Sequence, residues 1–202
     1  MMAERKIDID IKKAILIDAS YLDFVCGDMK KHFSCVKDMA SRKADLSCLV
    51  TYLALDAGMA GKDAIDVVIV YDRHCSRLCN VLPDDLDGTG VDRISFNEDG
   101  VGEFSFMTVQ PEGFAERSEL YMETLDILLS SGTLDSIALL AHEEEYGQQL
   151  DAFFAGKEEG ERKMGIVRFG MFAPEDCGMF RKELLAYPLM KVLGINASDL
   201  KD

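Results

Sequence analysis

A chain of 202 residues with 48% apolar side chains can bury one sizeable core and is too short for two comfortable domains. Its 22 basic against 37 acidic residues leave a net charge of −15. That balance argues against long duplex DNA, whose binding depends on lysines and arginines releasing phosphate counterions. No run approaches the roughly 18 uninterrupted apolar residues of a membrane span. The first eight residues lack the apolar region of a secretory leader, so a cytosolic protein with no membrane partner is expected.

The first element is the apolar run Ala14–Ile17, which ends at Asp18 and has the character of a buried strand. Residues 20–32 and 36–57 follow as two helices. In the second, Met39, Leu46, Leu49, Val50, Leu53 and Ala54 recur at helical spacing, and Gly58 is a stop. Strand 65–71 ends at Asp72, so strand, helices and strand make the βαβ pattern of a parallel sheet. Residues 73–92 are rich in turn signals, among them Pro83-Asp84-Asp85 and Asp87-Gly88-Thr89-Gly90. Val91–Phe96 and Glu103–Val109 then form a β-hairpin insertion near 91–110, with Phe104, Phe106 and Thr108 on one side. It either extends the main sheet or lies as a flap above it.

A two-sided helix follows at about 115–131. Leu120, Leu125, Leu128 and Leu129 make its apolar side, and Glu119, Glu123 and Asp126 lie opposite. Strand 135–141 leads into a helix at 143–155, with Leu150, Phe153 and Phe154 facing inward and Glu143–Glu145 in its first turn. Met164–Phe169 is the last strand, and a C-terminal helix at about 178–186 is interrupted by Pro188. The expected fold is α/β: a single Rossmann-like three-layer domain with a mainly parallel sheet. Of the six cysteines, Cys26, Cys35, Cys48 and Cys177 are expected as buried reduced thiols. His74, Cys75 and Cys79 lack a fourth zinc ligand at any usual spacing.

In open α/β sheets ligands bind at the carboxyl ends of the strands. Asp18, Asp72 and Glu143–Glu145 all fall there, which is a metal-site hypothesis from the residues alone. Arg73, His74 and Arg77 follow the second strand and belong to the same edge. Each acid also has a plainer role, that of Asp72 being a turn residue. Asp18 can cap helix 20–32, in competition with Ser20, and Glu143–Glu145 suit a helix N-terminus. Glu119, Glu123 and Asp126 suit a solvated helix face. His74 and His142 have the pKa range of acid–base groups, but a lone histidine beside a strand end is more often simply hydrogen-bonded.

Taken in order, these pieces resemble the NYN branch of the PIN-like nuclease fold. The family's opening Ile-Asp-Gly-x-Asn-Leu is matched by Ile-Asp-Ala-Ser-Tyr-Leu at 17–22, and its Ser-Gly-Asp-x-Asp-Phe by Ala-His-Glu-Glu-Glu-Tyr at 141–146. Glu119 or Glu123 suits the acid it carries on a helix between. The resemblance spans roughly 14–172 and implies RNA cleavage dependent on Mg²⁺ or Mn²⁺. It makes Asp18 the central ligand, places Glu143 and Glu145 on the metal directly or through water, and has Glu119 or Glu123 complete the acidic set. Ser20, Arg73 and Arg77 would meet the substrate. Three kinds of substitution depart from the pattern: Tyr21 replaces an asparagine, glutamates replace aspartates, and Ala141-His142 replaces Ser-Gly.

Two functions are therefore expected as alternatives. One is a divergent metal-dependent ribonuclease. The other is a degenerate PIN-like module that binds a nucleotide, an RNA, a protein partner or a second copy of itself without cutting. A Rossmann-like nucleotide binder ranks last, since no Gly-x-Gly-x-x-Gly follows the first strand. A nuclease needs at least three of the acids close enough to share a cation. A degenerate module would show them splayed, or neutralised by Arg73, Arg77 or lysines.

Overall fold

The strand Lys13–Asp18 (β1) lies at the centre of the sheet because Ala14 to Ile17 are apolar on both faces and must be covered on both. The computed structural model describes residues 10–72, 76–87, 91, 94–112, 115–156, 165–171 and 180–200. From β1 the chain enters helix Ala19–His32 (α1), the two-residue strand Ala44–Asp45 (β2) and helix Leu46–Asp56 (α2). It returns as Ile65–Val70 (β3) and passes a short strand, Val81–Leu82 (β4). The hairpin Ser95–Glu98 (β5) and Gly102–Val109 (β6) follows, then helix Arg117–Ser130 (α3). The remainder is Ser136–Leu140 (β7), helix Glu143–Ala155 (α4), Gly165–Gly170 (β8), Arg181–Leu184 (β9) and helix Ala186–Val192 (α5).

Among the described residues, seven strands make one sheet in the order β5-β6-β3-β1-β7-β8-β9, parallel throughout except for β5, and β2 pairs separately with β4. Alternate residues of β1 serve opposite layers, as a pleated strand requires. Ile15 and Ile17 join Leu22 and Val25 of α1, Leu49 and Leu53 of α2 and Leu189 of α5. Ala14 and Leu16 join Leu125 and Leu128 of α3 and Leu150 and Phe154 of α4. The protein is thus a mixed α/β structure with a mostly parallel central sheet and, among the described residues, five α-helices. This is compatible with the expected Rossmann-like architecture. No helix among the described residues is long and apolar enough to cross a membrane.

The hairpin extends the main sheet, its first strand falling at Ser95–Glu98, later than the expected Val91–Phe96. Its second strand, β6, runs parallel to β3, with Phe104 opposite Ile65 and Phe106 opposite Val67. Phe96 stacks on Phe104 with ring centroids 4.7 Å apart, so the apolar side of the hairpin continues the core.

Three expectations need correction. The helix expected at 36–57 starts at Leu46. Asp38 sits in the left-handed region (φ 61°) before a 3-10 turn at Met39–Ser41, and Asp45 caps α2 by accepting the Cys48 N–H at 2.9 Å. The C-terminal helix expected at about 178–186 is instead strand β9 followed by α5. Pro188 lies in the first turn of α5, where its missing N–H has no intrahelical partner to lose. Cys26 is buried as expected, but Cys35 and Cys48 are exposed, Cys48 because Leu49 and Val50 take the inward face of α2. Cys75 and Cys177 lie outside the described residues.

Candidate functional site: an arginine-bridged acidic edge

Asp18 lies where β1 becomes α1, and its carboxylate has no exposure to solvent. One oxygen, Oδ1, accepts the backbone N–H of Tyr21 at 2.9 Å and so caps the helix. The other, Oδ2, accepts the Tyr146 hydroxyl at 2.6 Å and the Arg117 guanidinium. Burying a carboxylate this deep is costly unless it is paired and hydrogen-bonded, and Asp18 is both. Arg117 is the first residue of α3, and its side chain is 9% exposed. Its Nη1 reaches Asp18 and its Nη2 reaches Glu145 in the first turn of α4. One cation thus ties two acids from two elements together. Burial alone would lower the guanidinium's pKa, but Asp18 and Glu145 outweigh it and the net shift is upward.

Glu143 is held in the same way by a second arginine. Arg168 stands in the middle of β8, level with Leu139 of β7 and Leu16 of β1. Its Nε donates to Glu143 Oε1 at 2.7 Å, Nη2 donates to Oε2, and Nη1 donates to Asp151. The pairing is bidentate, the geometry that suits a planar guanidinium best. Burial works against the charge of Arg168, yet Glu143 and Asp151 carry its pKa upward. Gly147 makes room for this pair. A Cβ there would lie 3.0 Å from Glu143 Oε2 and 3.4 Å from Arg168 Nη2.

Aromatic rings close the site. Burial drives the hydroxyl pKa values of Tyr21, Tyr121 and Tyr146 upward, so all three remain neutral. His142 packs 5.1 Å from the Tyr21 ring and stacks on Phe24 at 6.1 Å. Its Nε2 lies 3.5 Å from Glu145 and its Nδ1 3.5 Å from Glu144. The Nδ1 atom is nevertheless buried without a well-formed hydrogen bond, so proximity to Glu144 does not satisfy it.

Asp18 and Glu145 therefore meet, but across Arg117, and Glu143 faces Arg168. Glu119 and Glu123 are exposed on α3, and Glu119 turns back to accept the Glu116 N–H at 3.1 Å in a capping box. Ser20 is half-buried in the first turn of α1. Arg77 is 82% exposed and lies 3.8 Å from Asp85, while Arg73 and His74 lie outside the described residues. Among the described residues, no three His, Cys, Asp or Glu side chains gather in a way that could hold a metal ion.

The residues that organise this edge, Arg117 and Arg168, were not singled out by sequence. Both carried a signal. Arg117 opens a helix, the end where the dipole disfavours a cation. Arg168 interrupts a buried apolar run, where a charge demands a partner. Chemically the edge is a set of closed ion pairs and offers no unpaired carboxylate among Asp18, Glu143 and Glu145.

No curated protein and no solved structure matches the chain. A family model described as "Family of unknown function (DUF6621)" matches residues 9–200, nearly the whole sequence, and the chain belongs to that family.

Proposed function

We propose that the chain is a PIN/NYN-like module that acts by binding and does not cleave. The order of its strands and helices, and the acids Asp18, Glu143 and Glu145 at the carboxyl ends of β1 and β7, support the resemblance. The observation that carries the non-cleaving half is the Arg117 guanidinium bridging Asp18 and Glu145. A tethered cation that donates to both acids puts positive charge where a divalent ion would otherwise sit. Mg²⁺ or Mn²⁺ would have to displace a side chain that is itself almost fully buried. The substituted glutamates add to this, because octahedral Mg²⁺ demands oxygen ligands at about 2.0–2.1 Å in near-ideal geometry. The residues present do not fit the metal.

The test is incubation of the protein with labelled single-stranded RNA, with and without Mn²⁺. The expected result is no cleavage above the protein-free control. Mn²⁺-dependent cleavage that Asp18→Asn abolishes would establish the ribonuclease reading instead.

A further inference from the structure

One face of α1 forms the wall of a cleft beside the acidic edge, meeting it where Phe24 stacks on His142. Asp23, Phe24, Gly27, Lys30 and Lys31 follow one another on α1 at helical spacing, and Ser34 lies just past its end. With Ala40 and Asn80 they line a cavity of about 480 Å³, within the usual size range of small-ligand sites. The chain packs tightly behind it. Asn80 donates its backbone N–H to Asp23 Oδ1 at 2.6 Å and its Nδ2 to the Asp23 carbonyl at 3.0 Å. A Cβ on Gly27 would lie 2.9 Å from Asn80 Nδ2 and would push that amide aside.

Two features give the cleft a chemical character. At one end Phe24 is 51% exposed, with one side of its ring stacked on His142 and its remaining surface open. Tyr21, His142 and Phe24 are therefore a run of neighbouring rings that ends in solvent. At the other end are two lysines on a chain whose net charge is −15. Lys30 donates one hydrogen bond, to Asn80 Oδ1 at 2.9 Å, and keeps further protons to offer. Lys31 is exposed at the rim. Asp23 is the acid in the lining, and its carboxylate is directed at Asn80. A flat ring would extend the aromatic run, and an anionic group would meet the two ammonium ions.

We propose that the α1 cleft binds a nucleoside monophosphate, with its base against Phe24 and its phosphate at Lys30 and Lys31. A mononucleotide fits better than a strand, because each further phosphate would meet a strongly acidic surface. The site goes beyond the non-cleaving reading and shares no lining residue with the Arg117 bridge, so either can fail without the other.

The test is calorimetric titration with three probes: AMP, adenosine and inorganic phosphate. AMP should bind one to one and at least about tenfold more tightly than adenosine or phosphate alone, since each carries half of the recognition. Phe24→Ala should weaken AMP by about fivefold or more, the low end of aromatic–base stacking. Lys31→Glu should weaken it by about tenfold or more. Both positions are exposed, and unchanged melting temperatures would show that each variant folds. Absence of AMP binding at millimolar concentration would overturn the assignment, as would binding that ignores both substitutions. Adenosine binding as tightly as AMP would remove the phosphate half and overturn it too. An RNA oligomer that binds more tightly than AMP would show that the cleft is not a mononucleotide site.

Discussion

Removing the Arg117 guanidinium strands a carboxylate with no route to water. Asp18 has no solvent exposure and the Arg117 side chain only 9%, so both ions are almost fully desolvated. Breaking such a pair from one side costs about 3–5 kcal/mol, because the remaining charge stays buried and uncompensated. Arg117→Met, which keeps the apolar stem, and Asp18→Asn, which keeps most of the cap, should each lose that much. With a urea slope of about 2 kcal/mol per molar, the unfolding midpoint should fall by about 1.5–2.5 M. The double variant removes both charges and should be less destabilised than the sum of the singles by about 1–3 kcal/mol. Glu145→Gln provides the internal contrast. Glu145 is 52% exposed and water can replace the arginine there, so its loss should cost about 0–1 kcal/mol. Urea denaturation of the four variants and the wild type reads all of this. Additive singles, or a Glu145→Gln loss equal to that of Asp18→Asn, would refute the view that burial makes the Asp18–Arg117 contact the strong arm of the bridge.

Gly147→Ala should lower the melting temperature. Its methyl must push aside the Glu143–Arg168 pair, an overpacking cost of about 1–3 kcal/mol readable by calorimetry. Asp45→Ala removes the cap of α2 and should cost about 1 kcal/mol by urea denaturation. Asp66 on β3 is half-buried, and burial raises its pKa above the ordinary 3.8. In the window above the unfolded value the native state then holds more protons than the unfolded one, so this group lowers stability as pH rises through its folded pKa. Asp66→Asn should consequently gain on the wild type from acid to neutral pH. Paired urea midpoints that do not separate across that range would contradict the reasoning.

Much of the fold was legible because its strands are short apolar runs and its helices are amphipathic. The run at 14–17 gave β1, and the Leu125/Leu128 side gave the inward face of α3. What failed depended on long-range pairing or on local polar geometry. Nothing in residues 178–186 announces that Arg181–Leu184 will add to the edge of β8, since Glu183 and Lys182 are poor strand formers on any local scale. The break before Leu46 needed the left-handed Asp38, which sequence does not reveal. At the site, the strand-end rule placed Asp18, Glu143 and Glu145 on one edge. It could not say what sits between them, because an ion pair joining residue 18 to residue 117 is a property of the packed sheet. The same rule did not extend to Glu119 and Glu123, which face solvent while their neighbour Arg117 turns inward.

Arg117 occupies the place of a divalent ion, and calorimetric titration of the metal-free protein with Mn²⁺ is the experiment that decides it. The predicted result is no saturable heat up to millimolar Mn²⁺ for the wild type. Stoichiometric binding in the micromolar range that disappears in Asp18→Asn would contradict it, and would show that the arginine yields to metal.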